Sequence, residues 1–302
     1  DTEKKLVLSR DRFAEKPLYL YTSANGIYFA SEIKFIRSLS GHNFPVNEYH
    51  LYRYLVNGYK SLYKNNETFF RDIIEFPSAS YMEINQNNSN STTSYWEPVC
   101  NIDESINHED AVEGVRYHLI NSVKLRLRAD VPLAFCMSGG IDSNSLISIA
   151  KKILNYDVHG FTITNEDERF NETELVRYSK NELDIRHTEI PVNTNGFMTG
   201  LEELIQYHDA PISTISYYAH WLLMKSISDN GYKVSISGTG ADELLTGYYD
   251  HYNLYLNEIY DDENLYQESL DNWRKYIAPI VRNPYLQNPE IFLNNPSERR
   301  HI

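Results

Sequence analysis

Residues 131–143 read VPLAFCMSGGIDS, a continuous apolar run followed by two glycines and then by polar residues. An uninterrupted apolar run of strand length is typical of a parallel strand that is buried on both faces of a sheet. The two glycines permit a tight turn, and helical spacing resumes over Ile141–Leu154. The stretch therefore predicts a buried strand, a turn and a helix, as at the start of a βαβ unit.

The same alternation of strand and helix continues on both sides of this stretch. A helix with one apolar stripe is predicted before it, at Glu109–Arg128. Further strands are predicted at Val158–Ile163, His187–Pro191 and Lys233–Ile236, and further helices at Glu172–Glu182 and Ile215–Asp229. Such alternation predicts an α/β fold with a doubly wound parallel sheet.

The first third of the chain has a different pattern. Short β-favouring runs occur at residues 6–8, 18–22, 27–31 and 80–84, and helical spacing occurs near 32–39 and 49–57. Residues 85–94 are rich in Asn and Ser, which predicts a hairpin tip or an interdomain linker. We therefore predict a β-rich domain at residues 1–98 and an α/β domain at residues 99–302.

Charge and composition exclude some classes of protein. The 302 residues carry a net charge of −14, which disfavours binding to a nucleic-acid backbone. No apolar run is long enough for a membrane span, so no membrane partner is expected. The two cysteines, Cys100 and Cys136, cannot support a disulfide framework, so we expect a cytoplasmic protein. Cys136 lies in an apolar run and is expected to be buried. Because the sequence starts at Asp1 without a leader, we expect a trimmed chain.

The turn at residues 138–143, SGGIDS, has the composition of an anion-binding loop. Glycines let a ligand approach the backbone, and the N–H groups with the Ser138 and Ser143 hydroxyls are expected to point into one concavity at a helix N-terminus. Asp142 would repel a phosphate unless a cation lies between them, which favours Mg²⁺ ligation. No lysine follows, so this is not the loop of kinases and GTPases. The alternative is an ordinary strand–helix turn.

A second glycine turn, SGTGADE at residues 237–243, also follows a predicted buried strand. Ligands of open α/β sheets lie outside the carboxyl ends of the strands, so the two turns are expected to share one site. Asp142, Asp242 and Glu243 would converge there as oxygen ligands of one or two hard cations. The alternative is that Asp242 and Glu243 only favour the start of a helix.

Four stretches in the same order resemble the glutamine-dependent asparagine synthetases. Residues 9–19, SRDRFAEKPLY, resemble the R-D-R-x-G-x-K-P-L-Y stretch near the end of that family's glutaminase domain, and residues 29–34, FASEIK, resemble the next one. Residues 126–132, RLRADVP, precede the first glycine turn as they do in the family, and residues 237–248 resemble its S-G-E-G-x-D-E-L-x-x-G-Y segment. The resemblance covers nearly the whole chain.

The resemblance implies a carbon–nitrogen ligase that takes ammonia from glutamine. A carboxylate, aspartate in the family, is activated by ATP with Mg²⁺ as its adenylate and is then amidated, with release of AMP and pyrophosphate. The fold implied is a PP-loop (adenine nucleotide alpha hydrolase) sheet, cut short at its C-terminal end, after the last part of an Ntn-type glutaminase domain. A homodimer is consistent with the family.

The resemblance also assigns residues to the site. It places Asp142, Asp242 and Thr239 at the reaction centre. The residues that it assigns to the nucleotide are Met137, Ser138, Gly139, Gly140, Asp142, Ser143, Ile163, Ser237 and Gly238.

The sequence departs from the family pattern in several places. The family's glutaminase nucleophile is an N-terminal cysteine, and neither Cys100 nor Cys136 is N-terminal. We therefore expect that residues 1–302 alone cannot hydrolyse glutamine and would need free ammonia or the missing segment. Thr239 replaces the acidic residue of S-G-E-G and cannot act as a base near neutral pH. Either another group does the work of that acidic residue, or the acceptor differs from aspartate. The acceptor could then be another carboxylate, such as a sugar uronate in surface-polysaccharide synthesis, or the outcome could be ring closure of the β-lactam-synthetase kind. A non-catalytic nucleotide-binding relative is the remaining alternative.

Three weaker signals complete the sequence pattern. Ala14 and Ala79 stand where the family usually has glycine, and we expect them to alter loop geometry only. Residues 208–211, HDAP, resemble an acidic–proline segment near the family's acceptor site, although a helix-capping turn is the alternative. Glu172, at a predicted helix start, could line the nucleotide site or be structural.

Overall fold

The computed structural model describes residues 4–85, 90–165, 167, 171–192 and 195–294. These residues belong to two compact units. One contains Asp1–Tyr117 and Pro191–Ser226, and the other contains His118–Ile190 and Ile227–Ile302. Among the described helices, none combines the length and the apolar character that a bilayer crossing requires.

The first unit is built on two antiparallel sheets of three strands each. One sheet has the order β1-β5-β6 and the other the order β3-β2-β4. The strands are β1 (Leu6–Ser9), β2 (Tyr19–Ser23), β3 (Gly26–Ala30), β4 (Ile73–Glu75), β5 (Ser80–Ile84) and β6 (Asn90–Ser94). The helices that begin and end in this unit are α1 (Ile33–Ser40), α2 (Glu48–Asn57), a 3₁₀ turn (Tyr59–Lys64) and α6 (Phe197–His208).

The prediction for residues 85–94 is corrected in part. Asn90–Ser94 forms β6 and pairs antiparallel with β5, in the register Ser80↔Ser94 to Ile84↔Asn90. Only the hairpin-tip interpretation fits this pairing, and residues 86–89 lie outside the described part of the chain. The polar side chains of β6 are exposed, so this strand is held by backbone hydrogen bonds and not by burial.

Two alanines in this unit have the backbone conformation of glycine. Ala14 has φ = 54° and Ala79 has φ = 48°, both in the left-handed region. This conformation costs an ordinary residue about 1–2 kcal/mol. Both loops therefore have a backbone geometry that favours glycine, and the two alanines are in a strained conformation.

The second unit contains a four-stranded sheet with the order β10-β7-β8-β9. β7 is parallel to both β10 and β8. The strands are β7 (Leu133–Cys136), β8 (His159–Thr164), β9 (Arg186–Pro191) and β10 (Val234–Ile236). The predicted α/β class with a parallel sheet is confirmed.

Helices alternate with these strands along the chain. α3 (His108–Arg126) and α7 (Ser216–Asp229) each begin within the residues of the first unit and end within those of the second. The others are α4 (Ile141–Ser148, continued by a π turn, Ile149–Ile153), α5 (Thr173–Leu183), α8 (Ala241–Leu245), α9 (Tyr249–Glu258), α10 (Glu263–Asn272, continued by a π turn, Trp273–Ile277) and α11 (Ile291–Asn294). α10 and α11 lie within residues 260–302, where the sequence contains no recognisable motif.

The core of the second unit surrounds β7. Leu133, Ala134 and Phe135 are all buried, as the apolar run predicted. The buried cluster around them includes Ile147 of α4 and Val176 of α5. Cys136, expected to be buried, is half-buried, and burial raises the pKa of its thiol.

Candidate functional site

Both glycine turns lie at the carboxyl ends of neighbouring parallel strands. The first follows β7 and the second follows β10, and these strands are adjacent in the sheet. The chain proceeds from β7 to β8 and β9 in one direction, whereas β10 lies on the other side of β7. The strand order therefore reverses between β7 and β10, and such a reversal opens the crevice where α/β sheets bind ligands.

The two turns touch one another at Gly238. A Cβ atom added to Gly238 would lie 2.8 Å from the backbone nitrogen of Ser143 and 2.9 Å from the Cβ of Asp142. Contacts of this length are too short for any side chain. Glycine is therefore required at this position so that the second turn can pack on the first turn of α4.

Hydrogen bonds within the first turn fix its shape. The Ser138 and Ser143 hydroxyls are 2.9 Å apart, and the Gly140 N–H donates to Ser138 Oγ at 3.2 Å. The Asn144 side-chain amide donates to the carbonyls of Ser138 (2.9 Å) and Gly140 (2.7 Å). The two hydroxyls, which we expected to point into the concavity, are bonded within the turn. Asn144 was missed by the sequence reasoning, although its position at the start of a helix after two glycines is a usable signal.

The N–H of Gly139 binds a negatively charged oxygen. It donates to Glu172 Oε2 at 2.8 Å. Beneath the turn, a Cβ on Gly139 would lie 2.9 Å from Leu175 Cδ1, so α5 also packs against this glycine. The turn is thus able to bind an anionic oxygen, which is the property that a phosphate site needs.

The three carboxylates predicted as metal ligands do not form one cluster. Within the described residues, no group of three or more His, Cys, Asp or Glu side chains could hold a metal ion. Asp142 is in the first turn of α4 beside Gly238, whereas Asp242 Oδ1 lies against Gly247. The predicted convergence of all three is therefore not observed, although Mg²⁺ often needs only one or two carboxylates together with phosphate oxygens.

Glu243 is hydrogen-bonded to a neighbouring tyrosine. The Tyr248 hydroxyl donates to Glu243 Oε1 at 2.6 Å. This hydrogen bond lowers the pKa of the Glu243 carboxyl and raises the pKa of Tyr248 to about 12. The Glu243 carboxylate therefore binds a tyrosine that lies five residues later in the chain.

Thr239 is exposed in the middle of the second turn. Its Oγ1 accepts a hydrogen bond from Ser237 Oγ at 3.2 Å. Gly240 follows with φ = 99° and is the residue immediately before α8. The turn thus presents hydroxyl groups where the family motif has an acidic side chain.

Met137 and Ile163 occupy different environments. Met137 is 3% exposed, and its backbone oxygen accepts a hydrogen bond from Thr162 Oγ1 at 2.7 Å. Thr162 in turn is 2.9 Å from His187 Nε2. Ile163 is half-buried near the end of β8. Because the Met137 side chain is in the core, a ligand would meet the backbone of this residue.

The segment around Asp209 has a structural role in the first unit. Asp209 Oδ2 accepts a hydrogen bond from the N–H of Lys34 at 3.0 Å, in the first turn of α1. Lys34 Nζ donates to the Tyr207 carbonyl at 2.8 Å, and the Tyr54 hydroxyl donates to the Ile212 carbonyl at 2.7 Å. Asp209 therefore caps a helix 175 residues earlier in the chain. The capping alternative is correct in kind, but the capped helix is distant in sequence.

Comparison with known proteins agrees with this arrangement. The family model described as asparagine synthase matches residues 114–296, and the model described as glutamine amidotransferase domain matches residues 1–96. The chain belongs to the asparagine synthase family. Both glycine turns of this asparagine synthase family member lie within residues 114–296, which match the asparagine synthase model.

Individual relatives show how much of a longer protein the chain represents. It is 26% identical to asparagine synthetase (glutamine-hydrolyzing) 1 of Bacillus subtilis, over 80% of this chain and 37% of that protein. It is also 26% identical to the amidase chyE of Penicillium rubens, over 80% of this chain and 38% of that protein. The chain thus spans well under half the length of these relatives. Among solved structures it resembles the NH3-dependent NAD synthetase of Campylobacter jejuni, with 16% identity, a TM-score of 0.33 and coverage of 62% of this chain and 93% of that one.

Proposed function

We propose that this chain is part of an ATP-dependent amidotransferase that activates a carboxylate as its adenylate and converts it to an amide. Formation of the adenylate from the carboxylate and ATP releases pyrophosphate. Ammonia released from glutamine then attacks the acyl carbon, and AMP leaves. Residues 1–98 would be the last part of the glutaminase domain, and residues 99–302 would be the synthetase domain. The cytoplasmic location and a homodimer remain predictions.

The observation that carries this proposal is the contact between the two glycine turns. Gly238 packs on the backbone of Asp142 and Ser143 at the point where the strand order reverses. One ligand that lies across these turns could therefore meet both the N–H groups of the first turn and the side chains of the second. A triphosphate has the length and the charge to do so.

The chain's own residues would divide the work as follows. The Gly139 and Gly140 backbone and the N-terminus of α4 would hold the phosphates. Asp142 and Asp242 would bind Mg²⁺, which neutralises the phosphate charge and stabilises pyrophosphate as a leaving group. The backbone at Met137 and the side chain of Ile163 would lie beside the adenosine.

The test is ATP–pyrophosphate exchange in the presence of Mg²⁺ and a panel of carboxylates. We expect exchange that depends on one acceptor, and we expect Asp142→Asn to reduce it on the order of 10²-fold, because a charged ligand of the Mg²⁺ that would stabilise the leaving pyrophosphate is lost. Asp261→Asn, an exposed change of the same charge, is the control. Wild-type protein without exchange for any acceptor, or a fully active Asp142→Asn, would contradict the proposal.

Thr239 favours a second candidate with a different acceptor. An exposed hydroxyl, hydrogen-bonded to Ser237, stands where the family has an acidic residue. A hydroxyl can bind a polyhydroxylated acceptor but cannot act as a base near neutral pH. The panel should therefore include uronic acids beside aspartate. Exchange with aspartate alone would eliminate this candidate.

A further inference from the structure

We propose that Glu172 is an internal competitor for the phosphate site, because its carboxylate occupies the Gly139 N–H that a phosphate oxygen would use. The inference rests on the proposed function, since it assumes that phosphate binds at the first turn. The direct observation is the 2.8 Å hydrogen bond from the Gly139 N–H to Glu172 Oε2.

Glu172 does not serve its own helix. It is the residue immediately before α5, where a side chain normally caps the first helical N–H groups. No such cap is formed, and the carboxylate instead reaches a glycine 33 residues earlier in the chain. The side chain is exposed, so it can rotate into solvent without disturbing the core.

The packing of α5 keeps this carboxylate close to the turn. A Cβ on Gly139 would lie 3.1 Å from Leu175 Cβ and 3.3 Å from Glu172 Cβ, so the start of α5 is in contact with the glycine. Contact through the Cβ atoms of Leu175 and Glu172 keeps the start of α5 against the turn, whereas the end of the Glu172 side chain is exposed and can turn away. The hydrogen bond between Gly139 and Glu172 can therefore break while the packing of α5 against Gly139 remains.

Electrostatics make the two bound states mutually exclusive. One N–H cannot donate fully to a carboxylate and to a phosphate, and two anionic oxygens at that distance repel each other. The apparent affinity for phosphate is reduced by the fraction of molecules in which Glu172 occupies the site. Removal of the carboxylate should therefore strengthen phosphate binding.

A purely structural role for Glu172 predicts the opposite result. If the hydrogen bond served to shape the turn, its loss would loosen Gly139 and weaken binding. The direction of the change in affinity therefore separates the two roles, and a change in thermal stability alone does not.

The experiment is calorimetric titration of the wild type, Glu172→Ala, Glu172→Gln and Glu174→Gln with inorganic pyrophosphate and Mg²⁺. Glu174 is exposed in the first turn of the same helix, so it controls for the change in net charge. We expect Glu172→Ala to bind about three- to tenfold more tightly than the wild type, since an exposed charged contact is largely screened. Glu172→Gln should show a smaller gain, and Glu174→Gln should stay within about twofold.

Two outcomes would overturn the inference in different ways. If the wild type binds pyrophosphate and Glu172→Ala binds it equally or more weakly, Glu172 is not a competitor, and the proposed function is unaffected. If none of the four proteins binds pyrophosphate, the proposed function fails and the inference fails with it.

Discussion

Substitution of Gly238 by alanine tests whether the two turns must touch. The added methyl group would lie 2.8 Å from the Ser143 nitrogen and 2.9 Å from the Asp142 Cβ. The nearest atom belongs to the backbone, which cannot rotate away, so the turns must separate by roughly 0.5 Å or more to reach ordinary van der Waals distance. Overpacking of this kind costs about 1–3 kcal/mol of folding free energy. Misplacement of a catalytic group by about 1 Å can cost on the order of 10²-fold in rate.

The assay compares ATP–pyrophosphate exchange and the free energy of unfolding in urea for Gly238→Ala and Gly114→Ala. Gly114 lies inside α3, and a Cβ there would meet no atom within 4 Å. The control should therefore keep its activity and gain about 0.5–1 kcal/mol of stability. Unchanged exchange and stability in Gly238→Ala would refute the contact between the turns as the basis of the site.

Three further substitutions test separate contacts. Ala14→Gly should raise stability by about 0.5–1 kcal/mol in urea unfolding, because relief of the left-handed strain exceeds the entropy cost of glycine; a loss of stability would contradict the strained conformation. Asp209→Ala should cost about 0.5–2 kcal/mol, and Asp209→Asn clearly less, because only the alanine removes the capping acceptor; equal losses would point to the charge instead. Tyr248→Phe should raise the pKa of Glu243 in an NMR titration, so that the carboxylate becomes protonated at higher pH than in the wild type, whereas Tyr249→Phe should leave it unchanged.

The sheet and its turns could be predicted because their sequence signals are local. A strand buried on both faces needs consecutive apolar residues, and Leu133–Cys136 is such a strand. Glycines that end a run of this kind mark the turn directly. The order of the strands could not be derived from periodicity, because hydrophobic spacing contains no information about which strand lies beside which.

Side-chain contacts were harder to predict because they depend on partners far away in sequence. Glu172 binds Gly139 across 33 positions, and Asp209 caps α1 across 175 positions. The error over Glu243 has a different cause. Its position near the second turn follows from the local sequence. Whether its carboxylate binds a shared cation or Tyr248 depends on the direction of the side chain, which composition does not specify.

The charge of the chain constrains how the proposed site can hold a polyphosphate. The net charge is −14, and residues 138–143 and 237–243 contain neither lysine nor arginine. Backbone N–H groups and the start of α4 supply only partial positive charges. Asp142 and Asp242 add negative charge to the same turns, so a triphosphate without a cation would be repelled. A divalent cation would therefore have to supply the positive charge that lysine supplies in kinases and GTPases. It follows that nucleotide binding should depend on Mg²⁺ far more steeply than it would at a site built around a basic side chain.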